Sequence, residues 1–296
     1  MRCLILFLLL GFSATTALAA PLFAVAVTPT PVLNRPDLRT VFGGNDGRTL
    51  LKDDCGQIRA VEFVALPGTV FTVHGEEKSI HGTVYRVTTA DYPYPSTGGY
   101  FVDSRSVRLE LEIPPERPRN LPSKEAILAA MKKRSGTGYV WGGNLADGVK
   151  QLTAWYPPAG TAEMTWRELK QWSLAGVDCS GLLYEATSGY TPRNTSSLAR
   201  YGKGISIAGK PASAITAALE PLDLIVWTGH VLIVIDGVNV IESRLICGKP
   251  EEGVRIRPLK TALDDIMRTR RPVDSVSNTS GEFVIRRWYG ILPENQ

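Results

Sequence analysis

Two stretches decide the fold: Gly176-Val177-Asp178-Cys179-Ser180-Gly181, which opens the apolar helical run Leu182-Leu183-Tyr184-Glu185-Ala186, and Gly229-His230-Val231-Leu232-Ile233-Val234-Ile235, which opens a strand. Asp178 is placed to cap exposed N–H groups at the helix start, and Gly176 and Gly181 allow close packing around Cys179. A helix N-terminus and a nearby imidazolium both favour a thiolate, which is what a thiol nucleophile needs. A cysteine alone reads first as a small buried hydrophobe. His230 changes that reading, because no other imidazole follows His81 and a Cys-dependent hydrolase needs a base. Glu242 stands in the apolar run VNVIES across a Gly237 turn; an inward carboxylate there is costly without a partner, and His230 is the partner in reach. An acceptor on the imidazole completes the triad logic of nucleophilic hydrolases. A helix bearing Cys179, followed by LDLIVW, HVLIVID, VIES and EFVIRRWYGIL as antiparallel strands, predicts an α+β fold.

Working outward, Arg2, the apolar run Leu4–Leu10 and Ala17-Leu18-Ala19 read as a signal peptide over 1–20. That run is shorter than the roughly 20 residues that span a bilayer. The expectation is therefore an exported protein, periplasmic or in the cell envelope, without stable membrane insertion once the leader is cleaved. Residues 21–115 form the next unit: a Pro- and Thr-rich extended lead-in to about Leu50, then five short β-branched runs that predict a small all-β barrel. Pro114-Pro115-Glu116-Arg117-Pro118-Arg119 cannot continue a central strand and marks the boundary to a unit over 116–296. In that unit Ser123 caps a helix over KEAILAAMKKR, with Ile127, Leu128 and Met131 on one face.

Thirty-three Lys and Arg against 29 Asp and Glu give a net charge of +4 without a basic block, which argues against nucleic acid. His74 and His81 have no zinc spacing, so neither a metal nor a cofactor is expected. Loss of Cys3 with the leader leaves Cys55, Cys179 and Cys247, of which one must stay unpaired. Cys55 and Cys247 read first as two buried thiols, with a bridge between the two units as the alternative.

YVWGGN (139–144), DCSGLLYEA (178–186), TPRNTS (191–196), LEPLDLIVW (219–227) and GHVLIVIDGVNVIES (229–243) together resemble the NlpC-type cysteine peptidases of bacterial cell walls, in order and spacing, over roughly Ser123 to Ile291. LPGTVFTVHGE and GYFVDSRSVRL resemble the bacterial SH3-like domains that accompany wall hydrolases. The resemblance implies a papain-like catalytic domain behind an SH3-like barrel, and cleavage of peptidoglycan stem peptides between D-glutamate and a diamino acid. It implies Cys179 as nucleophile, His230 as base, Glu242 as the residue orienting it, and Tyr139, Asp178 and Ser180 in the substrate subsite. Arg193 and Trp141 read as structural. Two departures stand out: Glu242 replaces the second histidine of many members, and the 35 residues from Asn144 to Asp178 exceed the family's short link. That excess, with a helix predicted over TWRELKQWSL, is open between a wall or lid of the cleft and a packed surface excursion. A silent wall-binding module and an amidase or acyltransferase on the same scaffold are the competing functions.

Overall fold

The computed structural model describes residues 22–44, 46–79, 82–160, 164–248, 253–276 and 281–291. The leader and His81 lie outside them. Among the described residues no helix is long and apolar enough to cross a membrane.

The first half is a seven-stranded antiparallel sheet in the order β3-β2-β6-β5-β4-β1-β7. Its strands are β1 (Leu22–Ala26), β2 (Thr30–Leu33), β3 (Val61–Ala65), β4 (Val70–Ser79), β5 (Gly82–Thr88), β6 (Tyr100–Asp103) and β7 (Val107–Glu110). The lead-in is thus not a wrapping segment. It supplies β1, inserted between β4 and β7, and β2, inserted between β3 and β6. Small residues and prolines hide its period-2 pattern, yet Ala24, Ala26 and Val32 pack with Phe63, Phe71 and Val102. Alanine suits positions where a central strand is crowded from both sides.

The second half starts with α2 (Lys124–Lys133), after the short helix α1 (Leu38–Val41) of the first half. Ser123 caps α2 by accepting from the Ala126 N–H, and its buried face carries Ile127 and Met131. The chain then runs through β8 (Asn144–Leu145), α3 (Gln151–Trp155), α4 (Trp166–Trp172), β9 (Gly176–Val177) and α5 (Cys179–Ala186). Next come α6 (Thr195–Leu198), β10 (Lys203–Ile205), α7 (Ala212–Ala218), β11 (Leu224–Trp227), β12 (His230–Val234), β13 (Asn239–Arg244), β14 (Gly253–Pro258) and α8 (Leu259–Met267). The final strands are β15 (Arg271–Pro272) and β16 (Glu282–Arg287). The main sheet runs β10-β16-β11-β12-β13-β14 and is antiparallel along that path. Alternation on β12 divides it cleanly: Val231 and Ile233 pack with Leu182 and Leu183 of α5, while Leu232 and Val234 pack with Leu259, Leu263 and Ile266 of α8.

The excursion between Asn144 and Asp178 is a packed element. Its ends pair as β8 and β9, and α4 starts with a reciprocal capping box between Thr165 and Glu168. Leu152, Tyr156, Trp172 and Leu174 join Phe42, Val61 and Phe101 in one core, and Trp172 Nε1 donates to the Tyr156 carbonyl at 2.8 Å. Cys55 and Cys247, expected as two thiols, are bridged with their Cα atoms 4.9 Å apart, across 192 residues of sequence. The bridge ties the loop before β3 to the loop after β13, a proximity that only the packing of the two halves creates.

Candidate active site

Cys179 is the first residue of α5 and is 7 % exposed. Close packing places it: a Cβ on Gly181 would collide with the Gly143 carbonyl oxygen, and one on Gly143 would lie 2.6 Å from the Gly176 oxygen. The three glycines let the helix start sit directly on the β8–β9 backbone. Asp178 caps the helix, accepting from the Gly181 N–H at 2.7 Å. The same carboxylate takes two bonds from Arg193, of 3.0 and 2.6 Å. Arg193 also bonds Ser180 Oγ, Asn144 Oδ1 and the Gly143 carbonyl. Asn144 in turn donates to and accepts from the Val64 backbone of β3, both at 2.9 Å. Asp178 and Ser180, expected in the substrate subsite, are therefore buried, 8 % and 3 % exposed, and bonded into this hub.

The thiol faces main chain on both sides of His230. It donates to the Gly229 carbonyl at 3.9 Å and accepts from the Ser180 and Val231 N–H groups. Burial, reinforced by the Asp178 charge, pushes its pKa up to about 12, against the opposing pull of Arg193 and those two N–H bonds. A resting thiolate was the expectation from the helix dipole; burial outweighs it and the thiol stays protonated. Among the described residues no hydrogen bond joins the thiol to the imidazole.

His230 opens β12 behind a turn whose Gly229 N–H donates to Thr195 Oγ1 at 3.2 Å. Its Nε2 lies 2.7 Å from Glu242 Oε2. The β12–β13 register, Ile233 opposite Ile241, extends to put Glu242 across from Leu232 and diagonal to His230, within a long side chain's reach. The other Glu242 oxygen accepts from Arg255 and Arg257, each at 3.1 Å. Burial alone would raise the Glu242 pKa, but the bonds from His230 and Arg257 and the Arg255 charge hold it at about 2. Nδ1 is left as the ring nitrogen available for proton transfer.

A groove of about 410 Å³ lies over this pair. Tyr139 lines it beside His230; burial and the Asp178 and Cys179 charges raise its phenol pKa, so it is a hydrogen-bond donor at neutral pH. Trp141 is 37 % exposed on the groove, with the Arg59 guanidinium 4.0 Å over its ring, so it is a surface residue here as well as an anchor. Sequence reasoning missed Trp227, whose ring centroid lies 5.1 Å from that of His230, and the groove arginines 59, 244, 257 and 270. The tryptophan stands three residues before His230, which was a usable signal; the arginines come from four separate segments and gave none. A second groove of about 340 Å³ meets the first at Tyr139 and is walled by Arg167, Lys170 and Gln171 of the excursion.

His74 bonds Thr88 Oγ1 at 2.8 Å on the first sheet. Among the described residues no cluster of three or more His, Cys, Asp or Glu side chains has metal-binding geometry.

No family model matches the chain, and no curated protein does. Solved structures similar to it include an NlpC/P60 family protein from Bacillus cereus, at 18 % identity and TM-score 0.33, covering 91 % of this chain and 64 % of that one. Another is RipD from Mycobacterium tuberculosis, described as a non-catalytic NlpC/p60 domain protein adapted to peptidoglycan binding, at 17 % identity and TM-score 0.32, covering 55 % and 95 %. A third is NlpC2 from Trichomonas vaginalis, at 13 % identity and TM-score 0.32, covering 90 % and 72 %. The chain thus spans less than two thirds of the Bacillus cereus protein's length.

Proposed function

We propose that this chain is an exported cysteine peptidase that hydrolyses peptidoglycan stem peptides between D-glutamate and a diamino acid, with a papain-like unit over 116–296 behind an SH3-like unit over 21–115. The carrying observation is the 2.7 Å pair between His230 Nε2 and Glu242, set beside a thiol that contacts the main chain immediately before and after that histidine.

Chemistry follows from the protonation states. A thiol with a pKa near 12 is a poor nucleophile until a base removes its proton. In this reading Cys179 leaves the Gly229 carbonyl as substrate enters and hands its proton to His230 Nδ1, a contact of the kind that tightens only in the complex. Sγ bonds the peptide carbonyl carbon, and N–H groups at the start of α5 hold the oxyanion. His230 then protonates the leaving amine, and water hydrolyses the thioester. Glu242 accepts the Nε2 proton throughout and supports the imidazolium, with Arg255 and Arg257 keeping it ionised. Tyr139 donates to substrate from the groove; Asp178 and Ser180 serve by fixing the helix start.

The test is digestion of defined muropeptides with mass-spectrometric identification of products. A fragment beginning with the diamino acid is expected from the unsubstituted protein and none from Cys179→Ala. Undiminished turnover by Cys179→Ala would remove the nucleophile.

A further inference from the structure

The His230 groove is cationic in a way that the triad does not require. Arg59, Arg244, Arg257 and Arg270 line it, against the two carboxylates Glu242 and Asp265. Arg257 is satisfied by both of those, and Arg59 is paired with Asp53 at 2.5 Å. Arg244 and Arg270 differ: among the described residues neither pairs with a carboxylate. Arg270 bonds only Thr269 Oγ1, at 3.0 Å, while its guanidinium lies 4.6 Å over the Trp227 ring. That stacking holds the cation beside the ring that packs on His230 and orients its fork toward the cavity rather than into bulk water. Arg244 ends β13 two residues after Glu242, and alternation therefore sets it on the same face as the triad carboxylate.

We propose that Arg244 and Arg270 form an anion subsite that selects a leaving fragment bearing a carboxylate. The side follows from the peptidase reading, on which this inference rests: a general acid stands on the leaving-group side of the scissile bond, so the groove flanking His230 receives the fragment released as the amine. Two unpaired guanidinium forks in a half-enclosed groove with aromatic walls suit a carboxylate bidentately. A neutral carboxamide at the same place would leave both cations uncompensated, which sets the preference.

The probe is diaminopimelyl-D-alanine, with its side-chain carboxylate either free or converted to the carboxamide, titrated into the full chain carrying Cys179→Ala. The free acid should bind about tenfold more tightly or better, the range of one charge-assisted hydrogen bond, and the gap should shrink as salt is raised. Adding Arg244→Gln and Arg270→Gln should equalise the two ligands, whereas Arg270→Lys should keep part of the preference; thermal midpoints of each variant report whether it folds. Equal binding of both ligands, binding of neither, or a preference that survives both Gln substitutions in a folded protein overturns the proposal. A preference for the free acid in a protein that cleaves no muropeptide overturns the peptidase reading and leaves the anion subsite standing.

Discussion

Two charged hubs flank Cys179, and they are built to opposite ends. Around Arg193 every partner is protein: Asp178, Ser180, Asn144 and the Gly143 carbonyl enclose a guanidinium that is 2 % exposed. Around Glu242 the carboxylate is equally enclosed, at 2 %, but its histidine is 15 % exposed and opens on the groove. The first hub has no unused valence and therefore cannot do chemistry; it fixes the helix that carries the thiol. The second leaves one ring nitrogen uncommitted. Saturation, more than burial or charge, separates a structural ion pair from a reactive one.

Crossed substitutions break that comparison most sharply. His230→Ala should lower turnover by about 10³-fold, within the range of lost general acid–base catalysis, while the thermal midpoint stays close to that of the unsubstituted protein. Arg193→Met should do the reverse in origin: it strands the buried Asp178 carboxylate and should cost about 3–5 kcal/mol of stability by denaturant unfolding. A folded, stable and inactive Arg193→Met protein would assign Arg193 to the chemistry instead.

The acid side of the stability profile sharpens it further. Glu242 has its folded pKa lowered from 4.5 to about 2, so it contributes stability that is fully present above pH 4.5 and is lost as pH falls toward 2. Unfolding free energy should therefore drop by a few kcal/mol across that window. Glu242→Gln should flatten the drop, and should retain more turnover than Glu242→Ala because the amide oxygen still accepts from Nε2. Identical acid profiles for Glu242→Gln and the unsubstituted protein would show that the carboxylate is not held ionised by its neighbours.

What was legible in the sequence is what local pattern encodes. The cap at Ser123, the helix starting at Cys179, the strand starting at His230 and the carboxylate on the next strand all lie within short periodic segments bounded by turn residues, and the packed elements fall where those patterns put them. Three features were not legible because they depend on distant chain meeting distant chain. Small residues and prolines disguise the lead-in strands, which gain their meaning only from neighbours as remote as Val107. Cys55 and Cys247 approach only because the two halves dock. Asp178 and Ser180 follow the helix start in sequence, but whether they face substrate or protein is decided by Arg193, and the thiol's high pKa by the depth to which α5 is buried.

Asn144 probes how far the sealed hub depends on the first sheet. Its side chain is fully buried and spans three elements, bonding both backbone groups of Val64 on β3 and the Nε of Arg193. Asn144→Ala leaves those backbone groups and one guanidinium nitrogen without partners, a loss of about 1–3 kcal/mol if the site excludes water. That cost is smaller than for Arg193→Met because Asp178 keeps its cation. Since Asn144 touches Arg193, the two losses should not add: in a double-mutant cycle the Asn144→Ala effect should shrink by at least about 0.5 kcal/mol when Arg193 is already Met. Turnover in Asn144→Ala should fall only modestly, because α5 still starts on the three-glycine contact and His230 still has Glu242. Additive stabilities would mean that the Val64 bond and the Arg193 hub are separate devices, and that the first sheet holds the nucleophile helix through packing alone.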